Sequence, residues 1–311
     1  MQIDVVVAFF VLGMVATLLG TKIDFPKGLY QFLTLFLLLA IGLKGGMALG
    51  DHIGIELLGQ SLVVLTLGLI LPPIAYPILK RFGGWSRLDS ASTAAHYGSV
   101  SVATFAVAVA VIEAQNLFYE PYFPLFVVIL EVPAIAVGLW LAKRGERAPD
   151  TSRRQLLHEL FGNQGVVLLI GGLLIGWWAG DNTSNIMPLF STLFHGVLAL
   201  FLLQMGRLAA EQFSELRRQG LFLVSFAIAM PLIGALFGGV LALLLGLSAG
   251  GVALLATLGA SASYIAVPAA LGVALPQANL SLPLTASLAV TFPFNVLVGI
   301  PVYLALAQHI A

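Results

Sequence analysis

The sequence predicts an all-α integral membrane protein with ten transmembrane helices, arranged as two five-helix repeats of inverted topology. Three observations predict this fold class. Of the 311 residues, 59% are hydrophobic and 9% are charged, whereas soluble domains carry about 25% charged residues. Ten apolar runs are long enough to cross a bilayer, which has about 30 Å of hydrocarbon. A short serine motif also recurs in the fourth run of each half, at residues 99–101 and 261–263.

The ten predicted spans follow one another with short connections. Continuous apolar runs, without the alternation of a barrel strand, favour helices over a closed barrel. The first run has no basic leader and no small-residue cleavage site, so it is predicted to remain as a span. The runs cover residues 3–20, 29–49, 58–79, 91–112, 122–142, 163–180, 187–209, 220–245, 249–275 and 282–308.

A polar stretch divides the chain into two halves. We predict a first five-helix repeat at residues 1–145, a cytoplasmic linker at 146–162 and a second repeat at 163–311. Because five is an odd number of spans, a duplicated half enters the membrane from the opposite side. Under a shift of 162 residues the serines of the two motifs coincide, and other matches keep the same order with offsets between 159 and 164. These matches join Ser99 with Ser261, Ser101 with Ser263, Gly42 with Gly206, Pro72 with Pro231, Pro124 with Pro283 and Pro133 with Pro293.

The basic residues are distributed unevenly between the two sides of the predicted membrane. If the odd-numbered loops share one side, thirteen of the fourteen Lys and Arg residues lie there, and Lys44 alone lies on the other. Basic residues are enriched in cytoplasmic loops. We therefore predict a multi-pass protein of the inner cell membrane with both termini on the non-cytoplasmic side.

Several classes of function are disfavoured by what the sequence lacks. There are no cysteines, which excludes disulfides, thiol catalysis and thiolate metal sites. No phosphate-binding loop, histidine cluster or nucleophile with an adjacent base is recognisable. Glu131 and His96 are the one candidate pair for an intramembrane enzyme. We expect a protein that is not an enzyme, with no organic cofactor and no nucleic-acid partner.

The repeated serines are predicted to line a substrate site. A single serine in a membrane helix is usually a packing residue, but a glycine and two serines at equivalent places in both halves predict two unwound helices. Helix amino ends at such breaks offer N–H donors to an anion, and freed carbonyls and hydroxyls can hold a small cation. This combination is typical of a symporter. The predicted substrate-binding residues are Ser99, Ser101, Thr104, Ser261 and Ser263.

Polar residues deep in other spans are candidates for the site of a coupling ion. Glu131 lies well inside an apolar run, where an ionisable group costs at least about 2.5–3.5 kcal/mol, so a functional role is the first interpretation. The alternative is a protonated structural glutamate that bonds to a neighbouring helix. Asn295, at a similar depth in the tenth span, is interpreted equally as a neutral ligand or as a helix-packing residue. His96 is a candidate proton relay, but its position close to the predicted cytoplasmic end of its span favours a residue at the membrane interface.

Several short motifs carry a resemblance to a known family. They lie at residues 41–46, 98–104, 131–134, 205–206, 213–217, 259–263 and 276–279. At these motifs the chain resembles the sodium-dependent bicarbonate transporter family of cyanobacteria and other bacteria, over nearly its whole length. The resemblance implies a secondary active transporter that imports a small anion, bicarbonate first, together with sodium across the lipid bilayer.

The resemblance also implies an architecture and partners. It implies a core domain from spans three to five and eight to ten, and a gate domain from spans one, two, six and seven. The substrate would lie between the crossed breaks of spans four and nine. A homotrimer and regulation by a small PII-like protein on the cytoplasmic face are further implications.

The chain departs from the family pattern at two places. Where the family has an aspartate after its serine run, this chain has Tyr264, and Val102 and Ala103 replace a Gly-Ser pair before Thr104. Glu131 keeps a carboxylate at the family's acidic position in span five. We predict that Glu131, Asn295 and Tyr264 form the coupling-ion site, with no metal other than sodium.

Other functions are compatible with the same sequence. A proton-coupled carrier of an organic anion would use Glu131, a passive channel would need no ion gradient, and a non-transporting membrane sensor would have kept the fold with a degraded ion site.

Overall fold

The computed structural model of the protein describes residues 5–143, 162 and 164–311, and the regular structure in these residues is entirely helical. Eight of the described helices are long and apolar enough to cross a membrane, in agreement with the predicted all-α membrane class. They are Lys27–Leu49, Ile55–Arg81, Arg87–Ala114, Phe123–Lys143, Gln164–Asn185, Met187–Glu211, Leu221–Leu244 and Ser281–Ile310. The predicted linker at 146–162 lies outside the described residues except for Gly162.

Two of the ten predicted spans are not among these eight helices. The first is the helix Val5–Leu18, whose 14 residues extend about 21 Å at 1.5 Å per residue. The ninth divides into Ala249–Ala260 and Ala266–Ala274, because the serine motif interrupts it. The structure therefore supports eight spanning helices in the described part of the chain, and the number ten remains a prediction.

The helices are numbered in chain order. The first half contains α1 (Val5–Leu18), α2 (Lys27–Leu49), α3 (Ile55–Arg81), α4 (Arg87–Gly98), α5 (Val102–Ala114), α6 (Phe123–Glu131) and α7 (Pro133–Lys143). The second half contains α8 (Gln164–Ala179), α9 (Met187–Glu211), α10 (Phe213–Gln219), α11 (Leu221–Leu244), α12 (Ala249–Ala260), α13 (Ala266–Ala274) and α14 (Ser281–Thr285). The last span continues through two π-helical turns with α15 (Phe292–Phe294) and α16 (Ile300–Ile310).

Four helices pack as one group, which we call the four-helix bundle: α1 lies on α9, α2 on α8, and α2 also contacts α9. Small residues allow these backbones to approach closely. A Cβ atom on Gly42 of α2 would lie 2.7 Å from the carbonyl oxygen of Leu169 on α8. A Cβ on Gly206 of α9 would lie 2.0 Å from the carbonyl oxygen of Phe10 on α1. The two glycines that match in the sequence therefore occupy equivalent contacts.

The remaining helices form a second group, the crossover bundle, from α3 to α7 and α11 to α16. Within it α3 packs on α4 and α11 on α12, while α4 packs on α7 and α12 on α16. These two contacts of the first half thus have counterparts at the matching places in the second half.

Contacts between loops and helix ends define two ends of the molecule. At one end, the amide of Asn279 donates to Oδ1 of Asp89 over 2.7 Å. At the other end, Lys44 forms an ion pair with Glu113. We call the first the basic end, because most described basic residues at helix ends lie there, and the second the opposite end. The basic end carries Lys27, Lys80, Arg81, Arg87, Lys143, Arg207, Arg217 and Arg218.

Candidate functional site

The serine motifs break two helices in the same way. After α4 ends at Gly98, Ser99 is extended, with φ −96° and ψ 175°. After α12 ends, Ser261 is extended, with φ −80° and ψ 163°. Short hydroxyl side chains bond readily to nearby backbone and so compete with the helix. The predicted breaks are therefore present at matching residues.

The two breaks cross and hold each other by hydrogen bonds. The amide of Ser263 donates to the carbonyl of His96 over 2.9 Å, and Nδ1 of His96 donates to the carbonyl of Ser263 over 2.6 Å. The amide of Ser101 donates to Oγ of Ser261 over 3.1 Å. Buried backbone groups need partners of this kind, so the pairing fixes one break relative to the other.

Each break ends with a serine that binds the amino end of the next helix. Oγ of Ser101 accepts from the amide of Thr104 over 3.2 Å and caps α5. Oγ of Ser263 accepts from the amide of Val267 over 3.3 Å in the first turn of α13. Helix amino ends carry a partial positive charge and unpaired N–H groups. Two such ends lie next to the crossing.

A cavity of about 290 Å³ lies beside the crossing, between the four-helix bundle and the crossover bundle. Since one water occupies about 30 Å³ of liquid, it has room for a small anion with water or a cation. Four of the predicted site residues line it, namely Ser101, Ser263, Glu131 and Tyr264. The first turns of α5 and α13 also line it, together with Thr34, Leu37 and Leu38 of α2, Phe201 of α9, and Gln164 and Gly165 of α8.

Three other predicted substrate residues lie behind the cavity wall. Oγ of Ser99 donates to the carbonyl of Glu131 over 3.4 Å. Oγ of Ser261 accepts from Ser101 and donates to the carbonyl of Leu258 over 2.8 Å. Thr104 is buried and contributes its amide to the cap of α5. These residues shape the crossing.

Asn295 also lies outside the lining of the cavity. Its Nδ2 donates to the carbonyl of Ala260 over 2.8 Å, and its Oδ1 accepts from the hydroxyl of Tyr303 over 3.2 Å. The Ala260 carbonyl is one of those that a helix end leaves without an intrahelical partner. Asn295 therefore stabilises the end of α12 just before the break.

Glu131 is the acidic residue of the cavity. It ends α6 and is 6% exposed. Pro133 follows at the start of α7 and has no N–H to continue the helix ladder. In the described part of the chain, Oε2 of Glu131 has no hydrogen-bond partner. A buried carboxylate oxygen without a hydrogen-bond partner destabilises the folded state, and a bound cation or proton would supply the missing partner.

His96 lies at the crossing, although the sequence favoured a position at the membrane interface over a role as proton relay. The sequence placed it at the membrane interface, but its side chain is fully buried and bonded to the opposite break. Within the described residues its Nε2 has no partner. The signal for it was its position on the last turn of a helix that was itself predicted to break at Ser99.

A sequence model of the Na+-dependent bicarbonate transporter superfamily matches residues 5–308, nearly the whole chain. The chain belongs to this superfamily. No curated protein matches it in sequence. Membership confirms the resemblance seen in the motifs and makes the protein a multi-pass member of a family of membrane transporters. In the described residues, no three His, Asp or Glu side chains cluster as a metal site.

Proposed function

We propose that this protein imports a small anion in symport with sodium across the inner membrane, and that bicarbonate is the first candidate for this anion. The observation that carries the proposal is the joint lining of one cavity by the amino ends of α5 and α13 and by Glu131. Such a site offers opposite charges to two ions. Membership of the Na+-dependent bicarbonate transporter superfamily supports the same pair of ions.

The anion would bind at the two helix amino ends. N–H groups in the first turn of a helix point out along its axis and favour negative charge. The hydroxyls of Ser101 and Ser263 lie at these ends and line the cavity. A bicarbonate ion is small, planar and singly charged, so it can accept from N–H groups and exchange hydrogen bonds with both hydroxyls.

The cation would bind near Glu131. Hard cations prefer carboxylate, carbonyl and hydroxyl oxygens, and the buried Oε2 of Glu131 accepts no hydrogen bond from any described residue. Tyr264 stands where the family has an aspartate, and its ring packs edge-on against Phe292 at 5.8 Å. Asn295 shapes this site from outside the cavity by holding the end of α12.

The architecture implied by the family fits this site. We propose that the crossover bundle is the core domain and the four-helix bundle the gate domain, with the basic end facing the cytoplasm and both termini outside. The equivalent contacts of Gly42 and Gly206 support an inverted duplication. A homotrimer and a PII-like regulator at the basic end remain predictions from the resemblance.

A second candidate is a proton-coupled carrier of an organic anion. The unpaired Oε2 of Glu131 favours it, because that oxygen can take a proton as readily as a sodium ion. A non-transporting sensor would bind the anion at the same helix ends without releasing it on the other side.

Uptake of radiolabelled bicarbonate into proteoliposomes separates these functions. The purified protein is tested with an inward sodium gradient, with choline in place of sodium, and with an inward proton gradient, at a pH where bicarbonate predominates. Sodium-dependent accumulation supports the proposal. Accumulation of an organic anion driven by protons without sodium moves the assignment to the second candidate. Binding of bicarbonate with no flux under any gradient contradicts both.

A further inference from the structure

A second cavity, of about 240 Å³, lies between the two bundles at the opposite end. Its walls come from α2, α5, α9 and the loop after α5. Polar and charged side chains line it among apolar ones, namely Lys44, Glu113, Tyr119, Ser191 and His195. The family match and the site described above assign no role to these residues.

The two cavities follow one another along the same helices. On α2, Leu37 and Leu38 line the first cavity and residues 40, 41, 44 and 45 line the second. On α5, residues 102, 103 and 106 line the first and 105, 109 and 113 the second. Phe105 lines the second cavity and Phe201 lines the first, and both side chains are almost fully buried. The second cavity thus follows the first along the same helices towards the opposite end, and we call it the vestibule.

Lys44 is the charged group that distinguishes this vestibule. In the part of the chain that the structure describes, no other Lys or Arg lies at the opposite end. Its Nζ donates to Oε1 of Glu113, so the ion pair joins α2 of the four-helix bundle to α5 of the crossover bundle. The Lys44 side chain is 55% exposed, whereas that of Glu113 is 24% exposed. The cation is therefore the accessible member of the pair.

Glu113 has a second donor that does not depend on Lys44. The hydroxyl of Tyr119 donates to the same Oε1 over 2.9 Å. Burial and the neighbouring Glu113 hold the pKa of Tyr119 above its usual range, so its hydroxyl stays protonated and keeps donating. The lysine is a compact charge on a flexible four-carbon stem. Lys44 can therefore move away from Glu113, because the carboxylate of Glu113 still accepts a hydrogen bond from Tyr119.

We propose that this vestibule is an entry site for the transported small anion, in which Lys44 releases the carboxylate of Glu113 and binds the anion instead. The proposal rests on the proposed function and on the orientation that places the opposite end on the non-cytoplasmic side of the membrane. The ion pair joins the two bundles, so anion binding at Lys44 also breaks a contact that holds them together. Entry of the anion and release of the bundles are then one event.

Thiol labelling tests the anion site without relying on transport. The chain has no cysteine, so Ser191→Cys places a single thiol in the vestibule, and Ser184→Cys places one at the same end outside it. Each is labelled with an anionic sulfonate and a cationic ammonium methanethiosulfonate. We expect the anionic-to-cationic rate ratio at position 191 to exceed that at 184 by about fivefold, the size of an exposed ionic contact, because the more exposed member of the pair is the cation. Bicarbonate should slow labelling at 191 and not at 184.

The double variant Lys44→Gln/Glu113→Gln is the matched control, because it removes the ion pair and keeps the net charge of the vestibule unchanged. In the Ser191→Cys background it should bring the rate ratio to that at 184 and abolish protection by bicarbonate. In proteoliposomes it should raise the half-saturating bicarbonate concentration on the outer face by about fivefold, somewhat less than a buried charge-assisted hydrogen bond would give. The value on the inner face should not change.

The outcomes separate this proposal from the function on which it rests. A rate ratio and a protection that persist in the double variant overturn the entry site, whatever the uptake assay shows. An outer half-saturating concentration equal to that of the parent also overturns it, since the pair would then be a structural contact. If the double variant loses the anionic-to-cationic preference at position 191 but the parent shows no sodium-driven uptake, the proposed function is contradicted and the anion site is still supported.

Discussion

The hydroxyl of Ser101 has two roles that substitution can separate. It caps α5 through the amide of Thr104, and it lines the cavity. Ser101→Ala removes both roles. Loss of a serine cap costs about 1 kcal/mol of stability, and loss of a hydrogen bond to a charged ligand costs about 1.5–3 kcal/mol of binding. We expect the half-saturating bicarbonate concentration to rise by about 10-fold to 100-fold.

The chain offers a matched control in Ser86, which caps α4. Its Oγ accepts from the amide of Asp89 over 3.1 Å at the basic end, and Ser86 does not line the cavity. Ser86→Ala should lower stability by a similar amount, about 1 kcal/mol, and leave the half-saturating concentration within about twofold, the range of a neutral substitution. Ser101→Gly should keep most of the cap, since glycine costs a few tenths of a kcal/mol there, and should still weaken binding.

The assays are unfolding in mixed micelles for stability and initial uptake rates over a bicarbonate titration for binding. A half-saturating concentration that rises equally in Ser86→Ala and Ser101→Ala would show that cap loss alone impairs transport. A half-saturating bicarbonate concentration that is unchanged in Ser101→Gly would show that the Ser101 hydroxyl does not bind the anion. Either result would refute the inference from cavity lining to binding.

Three further predictions follow from the same contacts. Glu131→Gln keeps the shape of the side chain and removes its charge, so the half-saturating sodium concentration in uptake should rise by at least about tenfold; an unchanged value would exclude Glu131 as a cation ligand. Asn295→Ala leaves two buried groups unpaired and should lower stability in mixed micelles by about 2–4 kcal/mol, with little change in sodium affinity; a large change in affinity would make Asn295 a direct ligand. Gly206→Ala places a Cβ 2.0 Å from the carbonyl oxygen of Phe10 and should cost about 1–3 kcal/mol. Gly196→Ala is its control, because among the described residues beyond its own helical turn no atom lies within 4 Å of the added Cβ, and equal effects would contradict the packing argument.

The sequence predicted the two breaks at the serine motifs, because a break of this kind is local, but it did not predict the π-helical turns of the last span. A serine hydroxyl that competes with the backbone acts within a few residues, so the motif alone indicated breaks beside Gly98 and before Ser263. The depth of Glu131 in an apolar run was similarly readable. The all-α membrane class, eight of the predicted spans and the two breaks were therefore accessible without the structure.

The division of roles among the polar residues was not accessible in the same way. Ser99 and Ser101 are separated by one residue, yet one bonds to the carbonyl of Glu131 and the other faces the cavity. Asn295 and His96 each bond to a break far away in sequence. Hydropathy gives the depth of a residue in the membrane, but the neighbour it faces depends on how the two bundles pack. Long-range packing of this kind leaves no periodic pattern in the chain.

The proposed coupling follows from placing an acidic residue beside an anion site. When Glu131 is ionised, an anion at the ends of α5 and α13 would add a second negative charge to one cavity, and two like charges in a partly buried site repel by several kcal/mol. A sodium ion between them converts that repulsion into two attractions, so each ion raises the affinity for the other by the same factor. With one ion of each sign the loaded and the empty site carry the same charge, that of Glu131, so a complete transport cycle moves no net charge across the membrane. The membrane potential, worth about 2.3 kcal/mol per charge per 100 mV, then contributes nothing, and the sodium gradient alone would drive accumulation.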